Sequence, residues 1–349
     1  NTGVGSQALQ ATTTGVSNTA LGRAAGFSNT TGGYNTIMGH SAMYPNTTGE
    51  NNVAIGYTAL GSNTTANHNA AVGTYALYNN TTGQTNASLG SFALFSNTTA
   101  SHNTAVGFNA AYSNTTGSSN TSVGKSSSFA NITGNSLTAI GSNALLFNTT
   151  SGNTAVGSNA AYSNTSGRID AFGTNAALSN TTGNYNSAFG QQNGFLAALQ
   201  SNTTGSSNAA FATGALGSNT TGAQNTAMGV AALYSNTTAS SNTAVGYQSL
   251  YSNTTSTENV AIGYQALFSQ TTAQTGSNTA VGYRAGVSTN GYYNSFFGYK
   301  TGESSSGYRN TFIGHAAGIS VTSGNGNTIL GTYNGNQGGL DIRTSSNNI

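Results

Sequence analysis

Asn242-Thr243-Ala244-Val245-Gly246-Tyr247-Gln248-Ser249-Leu250-Tyr251-Ser252-Asn253-Thr254-Thr255 is one copy of a phrase that fills nearly the whole chain. Its glycine falls at 5, 22, 39, 56, 73, 90, 107, 124 and 141, seventeen residues apart each time, and continues at 157, 173 and 190. Ala212 stands in its place once. The glycine then returns at 229, 246, 263, 282, 298, 314 and 331, which makes twenty copies. A period this short and strict, with almost nothing between copies, predicts a solenoid whose coils each contact only their neighbours. The fold class expected is therefore all-β, a parallel β-solenoid or β-roll of about twenty 17-residue coils. At about 4.8 Å between stacked strands, twenty coils make a rod on the order of 95 Å long.

With the glycine as position zero, position −1 is apolar in every copy, from Val4, Leu21, Met38 and Ile55 to Leu330. Position −3 is mostly Thr. Residues two apart share a strand face, so −1 and −3 are expected to point into the coil, with Val72, Val106, Val156, Val245 and Ile262 as core residues. Position −2, usually Ala, is expected to face a closely packed neighbouring chain. Glycine at zero ends the strand and permits positive φ at a corner. A second apolar piece follows, typically Ala-Leu-Tyr, with aromatics at Phe27, Tyr44, Tyr78, Phe95, Tyr112, Phe129, Tyr162, Tyr234, Tyr251 and Phe268. These are expected to stack as a ladder, chiefly in packing, with a carbohydrate-stacking surface as the alternative. Ser-Asn-Thr-Thr-Gly then supplies turn chemistry.

Two asparagine rows are predicted as amide ladders. One lies at −4, interrupted at Leu137 and Ile169. The other lies at +7, in Asn29, Asn46, Asn63, Asn80, Asn97, Asn114, Asn131, Asn148, Asn164, Asn180, Asn202, Asn219, Asn236 and Asn253. Each of these fourteen opens an Asn-x-Thr/Ser sequon, so a row of glycans is the alternative reading, which requires the turn to splay outwards.

The phrase fails in three places. Five extra residues follow Gly190 and predict a bulging loop around Asn193–Ala197. Two more lie between Gly263 and Gly282. From Gly282, Ala-Leu becomes Ala-Gly, the +7 asparagine disappears, and −2 turns bulky in Phe296, Phe312 and Ile329. The chain is accordingly divided into regular repeats at 1–281, variant repeats at 282–335, and a segment at 336–349 expected to exit toward a further domain. Because it opens inside a repeat, it is expected to be the ordered part of a longer protein.

Composition excludes several function classes. Lys and Arg total 7 against 5 Asp and Glu, a net charge of +2, so no basic stripe exists to neutralise nucleic-acid phosphates. Cysteine is absent, which removes disulfides and thiolate ligands. No apolar run is long enough to span a membrane as a helix. Glu50, Asp170, Glu258, Glu303 and Asp341 fall at different phases of the repeat, and His40, His68, His102 and His315 are scattered. No acid–base pair, metal site or cofactor site is expected from them. Calcium-binding β-rolls need an Asp in each repeat, and this chain has almost none. A Thr-based ice-binding face is disfavoured, because adjacent Thr residues of a strand face opposite ways.

Asn52-Val53-Ala54-Ile55-Gly56 and Asn259-Val260-Ala261-Ile262-Gly263 resemble the head repeats of YadA-type trimeric autotransporter adhesins. Asn310-Thr311-Phe312-Ile313-Gly314-His315-Ala316-Ala317-Gly318 resembles repeats in phage tail-fibre proteins that precede an endosialidase-type chaperone domain. The resemblance implies a left-handed roll and three chains side by side, outside a cell or on a virion. The function expected is a structural, non-enzymatic rod of an extracellular fibre, or a surface adhesin that binds a cell-surface glycan or matrix protein through the solenoid flank. An end-to-end polymer is the alternative to the trimer. The seventeen-residue period departs from the adhesin heads, whose usual repeat is shorter.

Overall fold

The computed structural model describes residues 1–271, 276–337, 340–341 and 343–348. The chain forms two compact units, Asn1–Arg168 and Ile169–Ile349. Each is a parallel β-solenoid, and the described residues contain no helix. The first unit carries ten three-residue strands, from Thr2–Val4 to Thr154–Val156. Each pairs in parallel with the equivalent strand of the next coil. Thr36 lies opposite Val53 and Ala70 opposite Ala87, a step of seventeen that shortens to sixteen between Thr138 and Thr154. The second unit repeats the arrangement from Ile169–Phe172 to Thr328–Leu330. The longer steps fall where the sequence has insertions, at Ser187 opposite Ala209 and Val260 opposite Thr279.

The strand faces are the reverse of the sequence expectation. Position −2 points inward: Ala54, Ala105, Ala155, Ala227 and Ala244 are fully buried. Position −1 points outward. Leu21, Met38, Leu89 and Ile262 are 40 to 51% exposed, and Val72, Val106, Val156 and Val245 are only half-buried. None of the five expected core residues therefore belongs to the core. The physical reason is the narrowness of the coil. Its interior is already filled by Ala59 and Leu60, at +3 and +4 in the Gly56 coil, and by the asparagines at −4 and +7. Only a methyl group fits opposite them. The constant small residue marked a tight interior, whereas the constant large apolar residue marked the outer face.

The turn after the corner is built from left-handed residues. Position +2 (Thr58, φ 49°; Gln248, φ 51°) and position +4 (Leu60, φ 52°; Leu250, φ 50°) both take positive φ in non-glycine residues. Each such residue costs on the order of 1–2 kcal/mol. The conformation is held because each N–H is used between coils. Leu60 N donates to Ala76 O at 3.0 Å and Thr58 N to His40 O at 3.1 Å, while the Leu60 side chain is fully buried. The corner glycine is required sterically as well. At Gly246 (φ 132°) a Cβ would stand 2.5 Å from Gly263 O on the next coil.

The change of phrase past Gly282 lies within the second unit and is an exchange of core volume. Position +4 loses Leu for Gly286, Gly302 and Gly318, all near φ 60°. Position −2 gains Phe296 and Phe312, both fully buried. A Cβ at Gly302 would stand 2.6 Å from Phe296 Cε1, and one at Gly318 would stand 2.4 Å from Phe312 Cδ2. The same exchange occurs once in the first unit, where Gly26 faces Ile37. Filling one interior from either wall conserves packing density.

The residues after Gly190 form no free loop. Phe195 lies edge-on to Tyr234, with centroids 5.4 Å apart. Its Cβ and that of Leu196 approach Gly214 and Gly217, so the insertion folds down over positions where two glycines have removed side chains. The extra residues before Gly282 include 272–275, outside the described residues. The final segment does not leave the coil as expected. Asn336–Gln337 and Leu340–Asp341 pair antiparallel, and the chain then returns. Thr322 N donates to Arg343 O, and Thr328 N to Asn348 O at 2.7 Å. Asn348 resumes the −4 row by donating to Asn327 Oδ1 at 2.8 Å.

Candidate binding surfaces

The two asparagine rows are interior ladders. In the Gly246 coil, Asn242 N donates to Asn225 Oδ1 (3.0 Å), and Asn242 Nδ2 donates to Ser256 O (3.0 Å). Asn253 Nδ2 donates both to Asn236 Oδ1 (3.1 Å) and to the same Ser256 O (3.0 Å). The pattern recurs from coil to coil, as at Asn97, which donates to Asn80 Oδ1 and Ala100 O. An amide has two N–H donors, and both are engaged here. The row ends where Gln270 replaces asparagine, and among the described residues Asn253 Oδ1 has no hydrogen-bond partner there.

These ladders answer the sequon reading. Asn29, Asn46, Asn63, Asn80, Asn97, Asn114, Asn131, Asn148, Asn164, Asn180, Asn202, Asn219, Asn236 and Asn253 are all buried, none more than 1% exposed. The atom that would carry a sugar lies inside the coil, so the folded turn does not splay outwards and has no room for a glycan. The Asn-x-Thr spacing arises because +7 faces inward while the Thr two residues later faces solvent.

The aromatic row at +5 is present as a stack. Tyr78, Phe95, Tyr112 and Phe129 succeed one another at 5.5, 5.1 and 5.2 Å, within 11° of parallel. Tyr234, Tyr251 and Phe268 do the same in the second unit. Because the rings cover each other's faces, sugar stacking along this row is excluded and only edges are presented. A second row, not anticipated from the sequence, runs at +1 through Tyr247, Tyr264, Tyr283, Tyr299 and His315, with spacings of 5.0–5.4 Å. His315 is thus a member of a stack, as is His40, which lies on Tyr57. The visible signal was the shared phase of these residues one position past the glycine.

Beside the second row, Arg284 contacts Glu303 at 2.7 Å, and Lys300 contacts the same carboxylate at 3.9 Å. In the first unit, Tyr75 packs against Tyr57, Tyr78 and Phe92. Desolvation first, and then a hydrogen bond with Tyr57, push its phenol above the ordinary tyrosine range. Among the described residues no group of three or more His, Asp or Glu converges on a metal position. No helix among them is long and apolar enough to cross a membrane.

A further surface feature is the outward −1 row. Val, Leu, Met, Ile and Phe side chains recur on every coil, and Phe172, Phe189 and Phe211 stack at 4.5 and 4.9 Å. The fold and this surface define a class, the parallel β-solenoid repeat proteins, with an apolar stripe on the strand face of each unit. No protein-family model matches the chain, and no curated protein matches it.

Proposed function

We propose that the chain is the structural rod of an extracellular fibre, a phage tail fibre or a surface adhesin stalk, which mediates attachment and has no catalytic role. Its −1 faces pack against further copies of the same chain, as a homotrimer. The observation that carries this reading is the outward stripe. Soluble single chains rarely leave long contiguous apolar patches on their surface, and this one is renewed at −1 on every coil, with Asp170 the one charge beside it at −3. The earlier expectation of a neighbour against −2 is replaced by a neighbour against −1 and −3. A standard interface of about 800 Å² per partner needs only about 80 Å² from each of ten coils. A half-exposed Leu or Met with the Thr beside it supplies that area.

Sedimentation equilibrium tests the reading on the wild type and on a Leu89→Glu, Ile262→Glu variant. The wild type should sediment at three times 34.9 kDa, and the variant at the mass of one chain with its β circular dichroism retained. A monomeric wild type refutes the assembly. An open-ended distribution of sizes favours the alternative, a protomer of a self-assembling filament.

A further inference from the structure

We infer that the first unit carries a binding cleft for a neutral saccharide, formed by Phe92, Phe108, Asn109, Tyr112 and Phe129. This deepens the attachment half of the proposed function and rests on it. The five residues line a shallow, open space of about 350 Å³ at the surface.

The cleft arises from a fault in the aromatic stacking. At +2, Tyr75 and Phe92 stack at 5.3 Å and 21°. On the following coil that position is Asn109, so no ring covers Phe92 there. Phe108 stands perpendicular to it, 6.2 Å away and at 87°, and Tyr112 is tilted by 49° at 6.4 Å. Most rings in the stacks cover one another's faces, and right-angle contacts recur at Tyr57 on Tyr75 and at Phe147 on Tyr162. Here a ring with a stacked partner on one side only meets a second ring at a right angle, and Phe108 is 50% exposed.

The polar groups select the ligand. Asn109 holds positive φ (56°), and among the described residues neither its side-chain amide nor the Tyr112 hydroxyl has a hydrogen-bond partner. An amide offers two donors and an acceptor, and a phenol offers one of each. No lining side chain is charged. Aromatic faces that receive the C–H face of a pyranose, with uncommitted amide and hydroxyl groups for its hydroxyls, fit a neutral sugar better than a phosphate, a sialic acid or a peptide carboxylate.

The test is saturation-transfer NMR and calorimetry with cellotriose, chitotriose and methyl β-galactopyranoside, against sialyllactose as a charged competitor. At least one neutral sugar should bind saturably, and sialyllactose should not displace it. Phe108→Ala, at an exposed position, should weaken binding tenfold or more. Asn109→Gly, which suits the positive φ and removes only the amide, should weaken it several-fold. Gly286→Ala, in the second unit, should leave affinity unchanged. Circular dichroism confirms that each variant folds. Absence of saturable binding by all three neutral sugars overturns the inference, as does binding that neither cleft variant alters. Binding seen only after the assembly is dissociated also overturns it, because a second copy then fills the cleft. Sedimentation separates the two levels: a trimer that binds no sugar refutes the cleft alone.

Discussion

Exchanging Phe312 and Gly318 for the residues of a regular coil perturbs the interior from both walls at once. Phe312→Ala removes a fully buried ring and should cost about 3–5 kcal/mol by cavity formation. Gly318→Leu places a Cβ where Phe312 Cδ2 and Cε2 stand only 2.4 and 2.5 Å away, and should cost about 1–3 kcal/mol by overpacking. The double variant recreates the Ala244 and Leu250 pair of the regular coil, both fully buried. Gly318 already has φ 61° against 50° for Leu250, so the backbone accepts leucine. The remaining loss is the stacking of Phe312 on Phe296, at 5.5 Å, worth about 0.5–1.5 kcal/mol. The double variant should therefore cost about 1–2 kcal/mol, against roughly 4–8 for the sum of the singles. Urea denaturation followed by circular dichroism gives the midpoints. Hydrogen exchange on peptides spanning 298–331 localises the effect, since a solenoid need not unfold as one unit. Additive costs would refute the claim that −2 and +4 share one interior space.

Three further outcomes are expected. Asn97→Asp removes both Nδ2 donors facing Asn80 Oδ1 and Ala100 O and buries a carboxylate in their place, which should cost about 3 kcal/mol at pH 7. Burial raises that carboxyl's folded pKa above its unfolded value, so the deficit should shrink as pH falls and the group protonates, as a pH series of midpoints will show. Ala212→Gly should stabilise by on the order of 1 kcal/mol by relieving φ 119° in a non-glycine residue; Gly246→Ala should destabilise by about 2 kcal/mol or more, and thermal melts that reverse either sign would contradict the corner geometry. Intact mass of the native protein should show no sugar on the fourteen +7 asparagines, and a ladder of hexose additions mapped to them would contradict their interior placement.

Much of the fold was legible because the period was. Strand positions, the corner glycine, both asparagine ladders and the +5 aromatic stack follow from one phrase repeated at a fixed step. The facing of the strand was not legible. Ala244 and Val245 are both apolar, and alternation states only that they oppose each other. Deciding which is inside requires knowing that Leu250 and two asparagines already fill the coil. The sequons misled for a related reason: Asn253 carries a motif associated with exposed turns, yet its amide is the inner lining of this one. The exchange of Phe312 for leucine volume at Gly318 was visible as two separate changes, but their link depends on which positions meet across the interior. The cleft at Phe92 and Asn109 rests on the absence of an aromatic on one coil, and composition does not display an absence.

The chain has no cysteine, so single-cysteine crosslinking gives the most direct measurement of the central claim. Val245→Cys, Ala244→Cys and Thr255→Cys would each be placed alone in the full chain and exposed to mild oxidation. If −1 faces outward and meets the same face of another copy, only the residue-245 variant forms disulfide-linked dimers, while the residue-244 variant neither crosslinks nor reacts with a thiol reagent until unfolded. Crosslinking at 244 without crosslinking at 245 would contradict both the facing of the strand and the surface assigned to assembly.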